Sequence, residues 1–117
     1  MSRVNPKRAE VWLVELDPTR GSEICKTRPV IVINAEFDVG LPLRIIVPVT
    51  EWKNHFDGIL WMTRIAPTRE NGLTKNSMAN AFQIRTVALE RFKRKLGHIT
   101  EGQLEAITSG VAVAIGF

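Results

Sequence analysis

Few side chains in this sequence can do chemistry, and their spacing excludes more than it permits. His55 and His98 are the only histidines, and Cys25 is the only cysteine. An intrachain disulfide and a Cys-cluster zinc site are therefore ruled out, and a histidine-based metal centre would need both histidines plus carboxylates that no spacing supplies. There is no phosphate-cradling glycine loop, no His-Glu-x-x-His pair and no serine nucleophile elbow. Cys25 lies in a polar run beside Lys26 with no histidine near it in sequence, so it reads as incidental. Arg28 is more informative, because it stands directly before Pro29 at the start of an apolar, β-branched run. A guanidinium beside a rigid neighbour presents a preorganised fork to a phosphate or a carboxylate. The same side chain can instead cap nearby carbonyls or pair with Glu23, and residue type alone favours that local role.

Holding Arg28 in place requires a strand on each side of a loop. Residues 10–16, Glu-Val-Trp-Leu-Val-Glu-Leu, are strand formers without a breaker, and Trp12 in their midst reads as core. Asp17-Pro18-Thr19-Arg20-Gly21 is turn chemistry. The polar stretch from Arg20 to Arg28 exceeds an ordinary hairpin connection, which marks it as a functional loop. Pro29 opens a second strand, and Val30–Ile33 suits burial on both faces. Leu43–Thr50 is a third strand, with Pro48 arguing for an edge or a bulge. Glu51–Gly58 is a second polar loop holding Trp52, whose ring is suited to stacking on a base or on a partner's side chain.

Ile59–Arg64 predicts a fourth strand, Asn71-Gly72 a turn, and residues 77–86 a fifth strand. The good helix formers from Ala88 to Lys95 predict a short helix. Thr100 and Gln103 form a capping box, after which Leu104, Ile107, Val111 and Ile115 share one helical face. Five strands followed by a helix, without βαβ alternation, predict a β-rich α+β fold: a small barrel closed on itself and capped by a helix.

The bulk numbers agree with one unit spanning residues 1–117. A chain of 117 residues, 44% hydrophobic and 24% charged, supports one core and is neither disordered nor collagen-like. No apolar stretch approaches the ~20 residues of a membrane span, and the basic N-terminus leads into no apolar signal region. With a single cysteine, a reducing cytoplasm is the expected setting. The formal charge is +4, and the excess lies between Arg85 and Lys95. A local surplus of this kind suits a phosphate-bearing partner, an acidic protein tail or a solvated face.

The string from Trp12 through Asp17-Pro18-Thr19, Gly21-Ser22-Glu23 and Lys26-Thr27-Arg28-Pro29-Val30 resembles the MazF/PemK/Kid family of mRNA interferase toxins. Val47-Pro48-Val49-Thr50, Asn71-Gly72-Leu73-Thr74-Lys75 and Gln83-Ile84-Arg85-Thr86 extend the resemblance over nearly the whole chain. It implies an SH3-like barrel of about five to seven strands with a C-terminal helix. It further implies a homodimeric, metal- and cofactor-independent endoribonuclease that cuts single-stranded mRNA and is neutralised by an antitoxin with a disordered, acidic C-terminal segment. Arg28 and Thr50 match the family's catalytic pair. Ser22, Glu23 and Gln83 match RNA-contacting positions, with Arg85 beside them and Lys26 and Trp52 as further candidate RNA contacts. Ser22 and Phe82 stand where some relatives carry a histidine and an acidic residue, so this chain has neither group at those positions. Glu23 is then the nearest carboxylate in the motif for general-base work. Some toxins of the same fold instead bind DNA gyrase without cutting RNA; the retained Arg28, Thr50 and Gly-Ser-Glu loop favour the nuclease.

Overall fold

A computed structural model describes residues 4–36 and 40–117. Seven strands are present: β1 (Glu10–Glu15), β2 (Thr27–Val32), β3 (Leu43–Glu51), β4 (Met62–Ile65), β5 (Ser77–Asn80), β6 (Arg85–Ala88) and β7 (Phe92–His98). One helix, α1 (Glu101–Ala114), follows them. Every strand pairing is antiparallel. The sheet runs β4-β5-β3-β2-β1-β7, with β6 also on β3. β3 is the hinge of this arrangement, because its first half pairs with β6 at residues 43–46 and its last residues pair with β5 at 49–51. Pro48 falls in the interval between those two partners, where a missing N–H is most easily tolerated.

The β-branched runs predicted to bury both faces do so. Val11, Ile31, Val47, Val49 and Ile107 belong to one buried cluster, and Trp12, Val14, Val30, Val32, Ile46 and Phe92 to another. Alternation along β1, β2 and β3 divides the two sets between opposite faces. Each fully buried aliphatic side chain contributes roughly 1.5–3 kcal/mol. Trp12 meets Phe92 edge-on, with ring centroids 5.7 Å apart.

α1 begins as predicted. The Thr100 hydroxyl accepts from Gln103 N–H at 3.1 Å, and the Gln103 side chain accepts from Thr100 N–H at 2.9 Å, an arrangement worth about 1 kcal/mol. Ile107 is buried, and Leu104 and Val111 pack beside it. Ile115, assigned to the same face, instead ends the helix and is 66% exposed.

Three other expectations change. The sheet bends but does not close into a barrel: β4 and β7, its two ends, do not pair with one another. The segment that follows β4 lies there instead, with His98 N–H donating to the Glu70 carbonyl at 2.9 Å. Residues 77–86 form two strands, because Ala81–Gln83 make a 3-10 turn after Asn80 caps Phe82 N–H. The predicted helix at Ala88–Lys95 is a short 3-10 turn, Leu89–Arg91, followed by β7. Helix propensity is a weak prior there, and pairing with β1 together with Phe92 burial against Trp12 overrides it.

Candidate active site

β1 and β2 form a hairpin in register Val14↔Arg28 and Glu15↔Thr27. The loop between them is pinned at its base, where Leu16 N–H donates to the Lys26 carbonyl at 2.9 Å. Lys26 itself has φ +69°, a left-handed conformation that a side chain adopts only when its surroundings impose it. Just beyond, Arg28 Nε donates to the Cys25 carbonyl at 3.1 Å. Of the two local roles open to Arg28, carbonyl capping is thus realised, but by Nε alone. Among the described residues Arg28 has no ion pair, with Glu23 or any other carboxylate, and its Nη amines hold no hydrogen bond.

The register of β2 on β3 sets Val30 opposite Pro48, and two residues further along each strand stand Arg28 and Thr50. Alternation puts Arg28 on the face of β2 that carries Val30, and Thr50 on the face of β3 that carries Ile46. Val30 and Ile46 share a cluster, so Arg28 and Thr50 project from the same face. Both residues also border a cavity of about 250 Å³, where they are joined by Leu13, Lys75, Ser77 and Arg94. A half-buried guanidinium with free amines, a hydroxyl on the same face and an adjoining opening can grip a phosphodiester and leave room for its neighbours.

The remaining sequence candidates fall into two groups. Ser22, Glu23 and Lys26 are exposed on the loop. Glu23 accepts from Arg20 N–H at 2.6 Å and therefore caps its own loop, outside the lining of the cavity. Gln83 and Arg85 turn inward: Gln83 bonds the backbone of Ser22 and Ile24, and Arg85 Nη1 donates to the Leu16 carbonyl at 3.1 Å. Trp52 is half-buried, in a T-shaped contact with Phe56 at 5.9 Å and under Arg64 Cζ at 5.1 Å, so one face of its ring is already occupied by a cation. His55 packs on Phe56 in the turn after Trp52, while His98 ends β7.

The basic run from Arg85 to Lys95 is mostly spent within the fold. Arg91 Nη1 donates to the carbonyls of Glu15 and Asp17, Lys93 pairs with Glu15 at 3.6 Å, and Lys95 pairs with Glu10 at 2.9 Å. Of that run only Arg94 lines the cavity.

Residue type alone does not mark Lys75, which also lines the cavity, although the Asn71-Gly72 turn leading to it is legible. Asn71 is buried: its Oδ1 accepts from Thr68 N–H and Leu73 N–H, and its Nδ2 donates to the Ala66 carbonyl. That turn delivers Lys75 to Glu51 at 3.3 Å. The hydrogen bond from Lys75, with the charge of Lys53, holds the Glu51 carboxyl below its ordinary range.

Residues 7–115 match the model of the family described as PemK-like, MazF-like toxin of type II toxin–antitoxin system. Endoribonuclease MazF9 of Mycobacterium tuberculosis is 31% identical over 104 residues, covering 84% of this chain and 86% of that protein. Endoribonuclease MazF of Staphylococcus saprophyticus is 26% identical over 110 residues, covering 94% and 91%. Among solved structures, MazF of Deinococcus radiodurans superposes with a TM-score of 0.78 at 18% identity, covering 96% of this chain and 97% of that one. A mycobacterial endoribonuclease in complex with its cognate antitoxin gives 0.75 at 19% identity, covering 97% of both. A seven-stranded antiparallel sheet with one C-terminal helix is the fold those structures share with this chain. The chain belongs to the PemK-like, MazF-like toxins of type II toxin–antitoxin systems.

Proposed function

We propose that this toxin is an endoribonuclease that cuts single-stranded mRNA at a short sequence, using Arg28 and Thr50 and no metal or cofactor. The observation that carries this reading is the Arg28 guanidinium, oriented through Nε by the Cys25 carbonyl while its Nη amines hold no hydrogen bond among the described residues, on the face that Thr50 shares. In-line attack of a 2′-hydroxyl on its own phosphorus concentrates charge on the phosphoryl oxygens. A bidentate, permanently charged fork beside one hydroxyl donor is matched to that charge. The products are a 2′,3′-cyclic phosphate and a 5′-hydroxyl. Ser22 and Lys26 on the exposed loop, with Trp52 and Arg85, are the remaining RNA-binding candidates; Gln83, which the resemblance also matches to an RNA-contacting position, is bonded to the loop backbone through both polar atoms of its amide. Glu23, which caps its own loop, takes the 2′-hydroxyl proton through a water in this scheme, and the 5′-oxygen released as its bond to phosphorus breaks takes a proton from solvent. This reading takes in two protein partners, an antitoxin with an acidic segment and a second copy of the chain, with the cytoplasm as the setting; membership of a toxin–antitoxin family supports the antitoxin. No helix among the described residues is long and apolar enough to cross a membrane.

The test is a long RNA incubated with purified protein in EDTA. Discrete fragments with 5′-hydroxyl ends are expected; intact RNA together with inhibited gyrase supercoiling would replace this reading with a gyrase-binding one. Arg28→Ala lowers the cleavage rate on the order of 10³-fold with the fold intact, and retained cleavage would remove Arg28 from the mechanism. Glu23→Gln lowers the single-turnover rate on the order of 10²–10⁴-fold. Near-normal turnover in that variant would leave Glu23 a loop cap.

A further inference from the structure

Three side chains from one short stretch, residues 83–91, hold the loop between β1 and β2, and every bond they make goes to backbone of that loop or of Glu15, the last residue of β1. Arg91 Nη1 donates to the carbonyls of Glu15 and Asp17, and Arg85 Nη1 to that of Leu16, at the loop's entrance. Gln83 holds the far side from both ends of its amide: Oε1 accepts from Ile24 N–H at 2.6 Å and Nε2 donates to the Ser22 carbonyl at 3.1 Å. One residue beyond Ile24, the Cys25 carbonyl accepts from Arg28 Nε.

We infer that Gln83 is a positioning residue for Arg28, fixing the peptide whose continuation orients the guanidinium, rather than a reader of RNA bases. The inference rests on the proposal that Arg28 acts on RNA. An amide that satisfies one donor and one acceptor on the same loop is committed in both its polar atoms. Only one Nε2 hydrogen and one Oε1 lone pair are left over for RNA. Its side chain is half-buried and 59 residues from Ile24 in sequence, so the contact locks two distant segments and not a local turn. The loop's side chains, Ser22, Glu23 and Lys26, take no part in the latch and stay exposed. Loop backbone is thereby set before RNA arrives, which is the condition under which a fork placed to within a fraction of an ångström accelerates a reaction.

Steady-state cleavage of a labelled RNA bearing one mapped cut site tests this, combined with amide exchange at Ile24 followed by NMR. Gln83→Ala is expected to lower kcat on the order of 10²-fold, leave KM and the cut-site map unchanged, and speed exchange of the Ile24 amide. Gln83→Glu keeps the acceptor for Ile24 N–H and loses the donor to Ser22, so its kcat falls between wild type and Gln83→Ala and its Ile24 protection is retained. A raised KM or a changed cut-site map at normal kcat overturns the inference and makes Gln83 an RNA contact. Unchanged Ile24 protection in Gln83→Ala overturns the latch. Arg28→Ala separates the two levels: it is expected to lose cleavage while keeping Ile24 protection. Full cleavage in that variant brings down the site reading, even if the latch itself is present.

Discussion

At the scale of single residues, this chain solves its problems with side chains that serve several partners at once. Glu10 is the plainest case. Its carboxylate accepts from Lys7 N–H at 2.8 Å and from Trp12 Nε1 at 2.9 Å, and it pairs with Lys95 at 2.9 Å. Burial by itself raises the carboxyl's pKa, but the Trp12 bond, the Lys7 bond and the Lys95 ammonium together outweigh it and hold the group below 4.5. A carboxyl depressed in the folded state adds stability that is fully present above its unfolded value and is lost as pH falls through the lower, folded value. Thermal melts from neutral pH downward should therefore show Glu10→Gln less stable than wild type near pH 7. The gap should shrink steadily once the pH passes below 4.5, the ordinary value. A gap that stays constant to low pH would mean that the contact acts by packing and not by charge.

At the scale of elements, what was legible is what local chemistry decides. Strand β1, the β2 run and the capped start of α1 declare themselves because β-branched alternation and a Thr100–Gln103 box need no distant partner to be favourable. The turn at Asn71-Gly72 is equally plain. The stretch from Ala88 to Lys95 is opaque for the opposite reason: its composition favours a helix, and only Trp12 and the open edge of β1 turn it into a strand. Residues 77–86 look like a single strand until Asn80 caps a 3-10 turn and β3 receives β5 and β6 at separate places. The site divides in the same way. The proline neighbour makes Arg28 conspicuous, but residue type favours a local carbonyl cap for it, and Arg28 and Thr50 enter as site candidates only through resemblance. The grips of Gln83, Arg85 and Arg91 end on carbonyls and amides of residues far away in sequence, and side-chain type says nothing about which backbone groups will be in reach. A basic cluster thus read as available charge, when most of it is employed holding β1 and its loop.

At the scale of the whole molecule, the bent sheet leaves an opening between β4 and β7 that a barrel would have closed with strand pairing. The turn carrying Asn71 occupies it, and two glycines let the backbones meet. Gly97 on β7 lies so close to the Glu70 carbonyl that a Cβ there would fall well inside contact distance of backbone atoms. Gly72, with φ +68°, approaches the Leu96 carbonyl in the same manner. Because the obstacle is backbone on both sides, no rotamer change can absorb an added methyl, and strand and turn must separate. Gly97→Ala should then cost roughly 2–3 kcal/mol and lower Tm on the order of 10 °C. Gly102→Ala is the matched control, since its Cβ meets only the Thr100 hydroxyl at 4.0 Å in the first turn of α1. That substitution should leave Tm unchanged or raise it. The same separation would carry Lys75 away from the cavity that Arg28 borders, so the wall that holds Lys75 depends on a contact made at the far side of the turn. Equal melting temperatures for the two alanine variants would show that the turn yields freely, and the opening would then be filled by a loose flap with no fixed wall for Lys75.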